Sequence, residues 1–185
     1  MNPVDSVLYS RLLGDDWKLL AENIRLAHSV MSSRRGRFRV AHGTSWLARR
    51  MAQWSRLPAA VEDVETCLEI IAEGQTERWL RRFGSNDFTT RQWEGKNRLL
   101  TEQFGEWELA FKLCAVDGKL LYEQRGAKLS LCGVRIAVPR MCAPLVVASE
   151  MSDGERVLVS VVVTLPLVGR LISYEGYLEM KGTSS

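Results

Sequence analysis

From Val61 to the end of the chain, apolar residues stop recurring at helical spacing and alternate one by one with polar ones. Side chains of a strand point in turn to its two faces, so this period marks strands with one face in a core. The alternating runs occupy 61–73, 76–83, 87–93, 98–104, 107–116 and 119–129, then a less regular 132–138, then 145–151, 156–165 and 170–180. The breaks carry turn residues: Glu73 with Gly74, Gly84 to Asp87, Gly105, Asp117 with Gly118, and Asp153 with Gly154. Asp followed by Gly between two long alternating runs is the strongest hairpin signal among them. Links this short cannot hold crossover helices, so the strands must run antiparallel.

The first 60 residues read differently. Asp5 or Ser6 can cap a short helix that Gly14 ends, and Asp15 or Asp16 can cap a second, in which Trp17, Leu20, Ile24 and Ala27 share a face. After a break at 32–36, residues 37–43 alternate as a first strand, with Phe38, Val40 and His42 on one side. Ser45 opens an amphipathic helix over 45–57, whose apolar arc is Trp46, Leu47, Met51, Trp54 and Leu57, with Arg49 and Arg56 opposite. The expected fold is α+β, mainly β: an antiparallel meander of about ten strands, with N-terminal helices and one helix between strands 1 and 2. A sheet of that size curls to hide its edges, giving a barrel or half-barrel. Closed meanders of this kind often enclose an apolar ligand.

At 185 residues the chain suits a single domain, taken as 1–180, with 181–185 a disordered tail. The net charge of +3 conceals an asymmetry, because residues 1–60 hold ten basic and four acidic residues, a balance of +6. Arg34, Arg35, Arg37, Arg39, Arg49, Arg50 and Arg56 lie in a stretch with no acid. Such a cluster can attract a membrane surface or an acidic partner, or be a solvated face. Nucleic acid is disfavoured by a pI of 8.8 and by the place of Trp46 and Trp54 in the apolar arc. Cys67, Cys114, Cys132 and Cys142 form no Cys-x-x-Cys pair, and no signal peptide precedes them, which suits a reduced, cytoplasmic protein without a metal. The run 157–168 is too short and interrupted for a membrane span, and its valines read as a buried strand.

Several motifs resemble a bacterial family known as a domain of unknown function, DUF4166. They are Leu-Tyr-Ser-Arg-Leu-Leu-Gly-Asp-Asp-Trp at 8–17, Ile-Arg-Leu-Ala-His at 24–28, Val-Ala-His-Gly at 40–43 and Leu-Pro at 57–58. Glu-Arg-Trp-Leu-Arg-Arg-Phe-Gly at 77–84, Glu-Gln-Phe-Gly at 102–105 and Leu-Pro-Leu-Val-Gly-Arg-Leu-Ile-Ser-Tyr-Glu-Gly at 165–176 complete the match. The resemblance implies no catalytic residues. It implies a context, since members occur alone or joined to a nucleotide-binding oxidoreductase-like domain, which makes an oxidoreductase a candidate partner. No Gly-x-Gly-x-x-Gly follows a strand here, so that chemistry is not expected of this chain.

The candidate site grows from residues 77–84. Alternation puts Trp79, Arg81 and Phe83 on one face and Arg78, Leu80 and Arg82 on the other. An arginine between aromatics inside a barrel must be paired, and Glu102 and Glu150 are its candidate partners. The alternative to an internal salt bridge is an anchor for the carboxylate or phosphate head of an amphiphile. Tyr174 precedes Gly176, a position at which a backbone or ligand can come close. His42 is either a satisfied core histidine or a proton-transfer group, and His28 falls near a helix end, where it can meet terminal carbonyls. No Gly-x-Ser-x-Gly elbow, phosphate loop or zinc spacing occurs, so neither a cofactor nor a catalytic residue is expected.

The leading expectation is a non-catalytic module holding an apolar or amphiphilic small molecule in a cavity, similar to fatty-acid-binding and lipocalin-like barrels. The candidate ligand residues are Trp79, Arg81, Phe83, Glu102, Glu150, Tyr174 and His42. Two alternatives are an enzyme using His42, Glu102 or Glu150 for acid/base work, and an interaction module docking an oxidoreductase or a membrane surface through the basic 34–56 face, the membrane through the basic helix 45–57 within it.

Overall fold

The computed structural model describes residues 7–29, 32–46, 48, 50, 57–131 and 133–180. Helical elements come first: α1 (Val7–Leu13), a 3-10 turn (Gly14–Leu19) and α2 (Glu22–Ala27). Eleven strands follow among these residues: β1 (Ser32–His42), β2 (Val61–Glu73), β3 (Thr76–Phe83), β4 (Asn86–Glu94), β5 (Leu100–Phe104), β6 (Trp107–Val116), β7 (Lys119–Leu131), β8 (Val134–Ala137), β9 (Leu145–Asp153), β10 (Arg156–Leu165) and β11 (Gly169–Met180). The helix expected over 45–57 falls mostly outside the described residues, as does the tail 181–185.

The sheet order is β6-β5-β4-β3-β2-β1-β11-β10-β9-β7-β8, and β6 also pairs with β7. That last pairing closes a ring of ten antiparallel strands and leaves β8 outside it. β7 serves three neighbours because its length is divided: Leu120 to Tyr122 pair with β9, whereas Lys128 to Leu131 pair with β8. Register shifts at Phe38/Val40, Ala110/Phe111 and Val163/Thr164 mark bulges, which bend strands and increase their twist toward closure.

The first strand is longer than its alternation suggests, beginning at Ser32 instead of residue 37. Gly36 does not break it. A Cβ there would lie 1.7 Å from the Tyr177 carbonyl oxygen, so glycine permits β11 to approach β1. Gly176 does the same from the other side, with a Cβ position 2.2 Å from the Arg37 oxygen. Extending the strand also moves Arg34 off the basic surface, for its side chain is buried. The outward arginines of β1 meet acids of β2, with Arg37 2.7 Å from Asp63, Arg39 2.8 Å from Glu62 and Arg35 3.9 Å from Glu65.

The second helix is not continuous. Leu20 adopts an extended backbone, and the Ala21 N–H leaves the helical ladder to donate to the Gly118 carbonyl of the β6–β7 turn at 3.2 Å. The Asn23 amide donates to the carbonyls of Gly154 and Arg156 at 3.2 and 2.7 Å, fastening α2 to the β9–β10 turn. Helices this short do not persist alone in water. Packing holds them: Leu8, Tyr9, Leu13, Trp17, Leu20, Ile24 and Ala27 are all buried, forming a plug over one end of the barrel. Among the described residues no helix is long and apolar enough to cross a membrane.

Candidate functional site

Because strands alternate, each contributes every second side chain to the barrel interior. β3 sends in Glu77, Trp79, Arg81 and Phe83, β4 sends in Phe88, Thr90 and Gln92, and β5 sends in Leu100, Glu102 and Phe104. The interior is not filled. A cavity of about 160 Å³ runs through it, walled mainly by aromatic and branched side chains such as Phe38, Phe83, Phe104, Val161 and Ile172. Leu57, Pro58 and Pro144 line it on the side away from the helical plug, and His28 and Ala27 of the plug end line it on the other.

Polar groups gather toward the plug. The Arg81 guanidinium donates to Thr90 Oγ1 at 2.8 Å and to Glu102 Oε1 at 3.4 Å, and lies 5.0 Å from the Trp79 ring centre and 6.0 Å from that of Phe88. Glu150 pairs elsewhere. Its Oε2 is 2.9 Å from His28 Nε2, and its Oε1 accepts the Tyr122 hydroxyl at 2.8 Å. Tyr9 continues this chain, standing 3.4 Å from the Tyr122 hydroxyl and donating to Gln92 Oε1 at 2.8 Å. The Tyr9 ring also lies against His28, with centroids 3.9 Å apart. Arg34 donates to Ser29 Oγ at 2.9 Å and to the Leu26 carbonyl, binding β1 to the end of α2.

These contacts set the charges. Burial pushes the Glu150 carboxyl upward, but the His28 charge and hydrogen bond, the Tyr122 hydrogen bond and the Arg81 charge together hold it below the usual carboxylate range. Burial, then the Glu150 charge, pushes the phenols of Tyr9 and Tyr122 well above their ordinary value. Burial also raises the Tyr174 phenol, against an opposing effect of Arg81. The Arg34 guanidinium, desolvated on β1, is lowered to about 10.

The structure gathers Trp79, Arg81, Phe83, Glu102, Glu150 and Tyr174 around one lumen, and puts His42 elsewhere. His42 shares its face with Phe38 and Val40, but its Nε2 lies 2.7 Å from the Pro58 carbonyl oxygen and the ring does not line the cavity. Of the two acids considered for Arg81, Glu102 makes the ion pair. His28 points into the barrel toward Glu150 instead of meeting helix carbonyls. Sequence reasoning passed over Tyr9, Thr90, Gln92 and Tyr122. A signal existed for two of them: Thr90 and Gln92 share the parity of Phe88. Among the described residues no cluster of three His, Cys, Asp or Glu side chains could hold a metal.

The fold and cavity define an antiparallel barrel with a plugged, polar end and an apolar lumen. Residues 20–178 match the family described as domain of unknown function DUF4166, and the chain belongs to that family. No curated protein matches its sequence. Among solved structures it is similar to a protein of unknown function of the DUF3598 family from Nostoc punctiforme, at 13% identity and a TM-score of 0.50, over 88% of this chain and 50% of that one. The chain thus spans half the length of that protein. A secretary abundant heat soluble protein from Ramazzottius varieornatus aligns at 11% identity and a TM-score of 0.43, over 82% of this chain and 94% of that one. Rv2717c from M. tuberculosis aligns at 10% identity and a TM-score of 0.43, over 88% and 99%. At these identities the likeness concerns the fold alone.

Proposed function

We propose that the protein binds a small, mainly apolar molecule in its barrel lumen and holds the polar end of that molecule near Arg81. The observation that carries this is the cavity of about 160 Å³, whose lining is mainly apolar and is broken by a few polar groups, Arg81, Glu102, Glu150 and Tyr174 among them. Apolar cavities of roughly 150 Å³ accept benzene-sized guests, and drug-sized pockets run to roughly 300 Å³ and more, so the guest is slim. A reading as an acid/base enzyme draws less support. Both oxygens of Glu150 are engaged by His28 and Tyr122, and Glu102 is paired with Arg81.

Titration with 1-aminoanthracene, a slim dye that is neutral at pH 7 and brightens in apolar surroundings, tests the proposal. Saturable binding at one site is expected, and Ala148→Phe, which inserts a ring into the lumen, should abolish it while far-UV circular dichroism stays unchanged. Dye binding that survives Ala148→Phe, or no binding by the folded protein, rejects the lumen as a binding site. Native mass spectrometry of protein purified from cells should, in addition, reveal a co-purifying small mass.

A further inference from the structure

We propose that the polar end of the guest is a neutral hydrogen-bond acceptor, such as the carbonyl of a ketone, ester or amide, and not a free carboxylate or phosphate. This rests on the lumen being a binding site and specifies the chemistry it selects.

The donors come first. A guanidinium offers five N–H groups. Among the described residues Arg81 commits one nitrogen to Thr90 and another to Glu102, the latter at 3.4 Å. Its side chain points inward and is 15% exposed, so the remaining donors face the lumen. Tyr174 lines the same cavity as Arg81, and its hydroxyl makes no hydrogen bond among the described residues. Phe38 and Phe83 hold its ring, with centroids 6.3 and 5.5 Å away. Arg81 and Tyr174 therefore present N–H and O–H groups to a space with apolar walls, and a guest that supplied no acceptor would leave them unmatched on entry.

The charge balance then separates the acceptors. Arg81 already faces one carboxylate, Glu102, which is itself 18% exposed and lines the lumen. Glu150 is a second carboxylate on the lining, and Glu77 is buried on the same strand face as Arg81. Against these three acids stand Arg81, Arg34 and His28, so the polar end has no cationic excess even with His28 protonated. An ionised head placed on Arg81 would sit beside Glu102 in a low-dielectric setting, where like charges a few ångströms apart oppose each other strongly. A carbonyl oxygen takes the same N–H groups without that repulsion. It needs only the lone pairs, not the charge.

The test compares methyl nonyl ketone with undecanoic acid, which match in chain length and differ in the head. Each is titrated against bound 1-aminoanthracene at neutral pH, where the acid is ionised. The ketone should compete at about tenfold lower concentration than the acid or less. Glu102→Gln, which removes the repelling charge and keeps the side-chain shape, should improve the acid by about tenfold and leave the ketone within about threefold. An acid that competes as well as the ketone against the unaltered protein overturns the proposal, as does a Glu102→Gln protein in which the acid gains nothing. In both cases 1-aminoanthracene still binds, so the lumen reading stands. A folded protein that takes up neither the dye nor either probe removes the lumen reading and this inference together. The comparison on the unaltered protein needs no variant to fold.

Discussion

His28 Nε2 lies 2.9 Å from Glu150 Oε2, across 122 positions of sequence. The contact joins the end of α2 to the interior face of β9, and both side chains are almost wholly removed from solvent. The helical plug is therefore attached to the barrel by a buried hydrogen bond as well as by apolar packing. Each buried oxygen of Glu150 has a donor, which is the condition under which a buried carboxylate is tolerable.

Glu150→Gln should lower stability at neutral pH by about 3 kcal/mol, since it strips a buried charge from its partners. The pH profile should change too. The Glu150 carboxyl is held below its ordinary 4.5, so the folded state binds that proton more weakly than the unfolded chain. Its contribution is present above 4.5 and is lost as pH falls through the lowered value. Urea denaturation at a series of acidic pH values should show a steep decline for the unaltered protein and a shallower one for the variant. Parallel declines would show that Glu150 does not drive the acid transition.

At the alkaline end the sign reverses. Burial holds the Tyr9 and Tyr122 phenols well above 10, so the stability they support is complete below 10 and is lost as pH rises beyond it, when the unfolded chain ionises first. Phenolate absorbance of these tyrosines should appear together with loss of the circular dichroism signal. Tyr122→Phe should cost about 1.5 kcal/mol at neutral pH through the lost bond to Glu150, and should make the alkaline loss shallower. Phenolate formation in a protein that keeps its fold would contradict this.

Arg81→Met should destabilise by about 3 kcal/mol, because it leaves the Glu102 carboxylate in the lumen without its cation. Adding Glu102→Leu should restore more than half of that loss, since both charges are then gone and apolar volume replaces them. Chemical denaturation of the two single variants and the double variant closes the cycle. Additive losses would mean that the pair is not energetically coupled.

Two glycines separate backbone conformation from close approach. Gly154, at φ +59 with open space around it, should cost about 1 kcal/mol on change to alanine, the ordinary penalty of a left-handed turn position. Gly176→Ala should cost about 3 kcal/mol, because its Cβ would lie 2.2 Å from the Arg37 oxygen and 2.7 Å from the Phe38 Cα, forcing β1 and β11 apart. Equal thermal shifts for the two would argue that the strands part freely.

Much of the barrel was legible in the chain. The runs at 61–73, 76–83, 107–116 and 156–165 coincide with β2, β3, β6 and β10, because alternation and turn residues are local properties. The break at Leu20 was not, for it depends on the Gly118 carbonyl, a tertiary partner of the Ala21 N–H. Nor was the start of β1, since the glycine that looks like a break is one that lets another strand approach.

The site divides along the same line. Alternation by itself put Trp79, Arg81 and Phe83 on one face, as covalent geometry requires of any strand. The tertiary structure alone chose Glu102 over Glu150 for Arg81, gave Glu150 to His28 and Tyr122, and turned His42 toward Pro58. Sequence determines which face a side chain takes, because the period of a strand is built into its backbone. Which partner it meets there depends on strand order, register and closure, and those follow from the packing of the whole barrel.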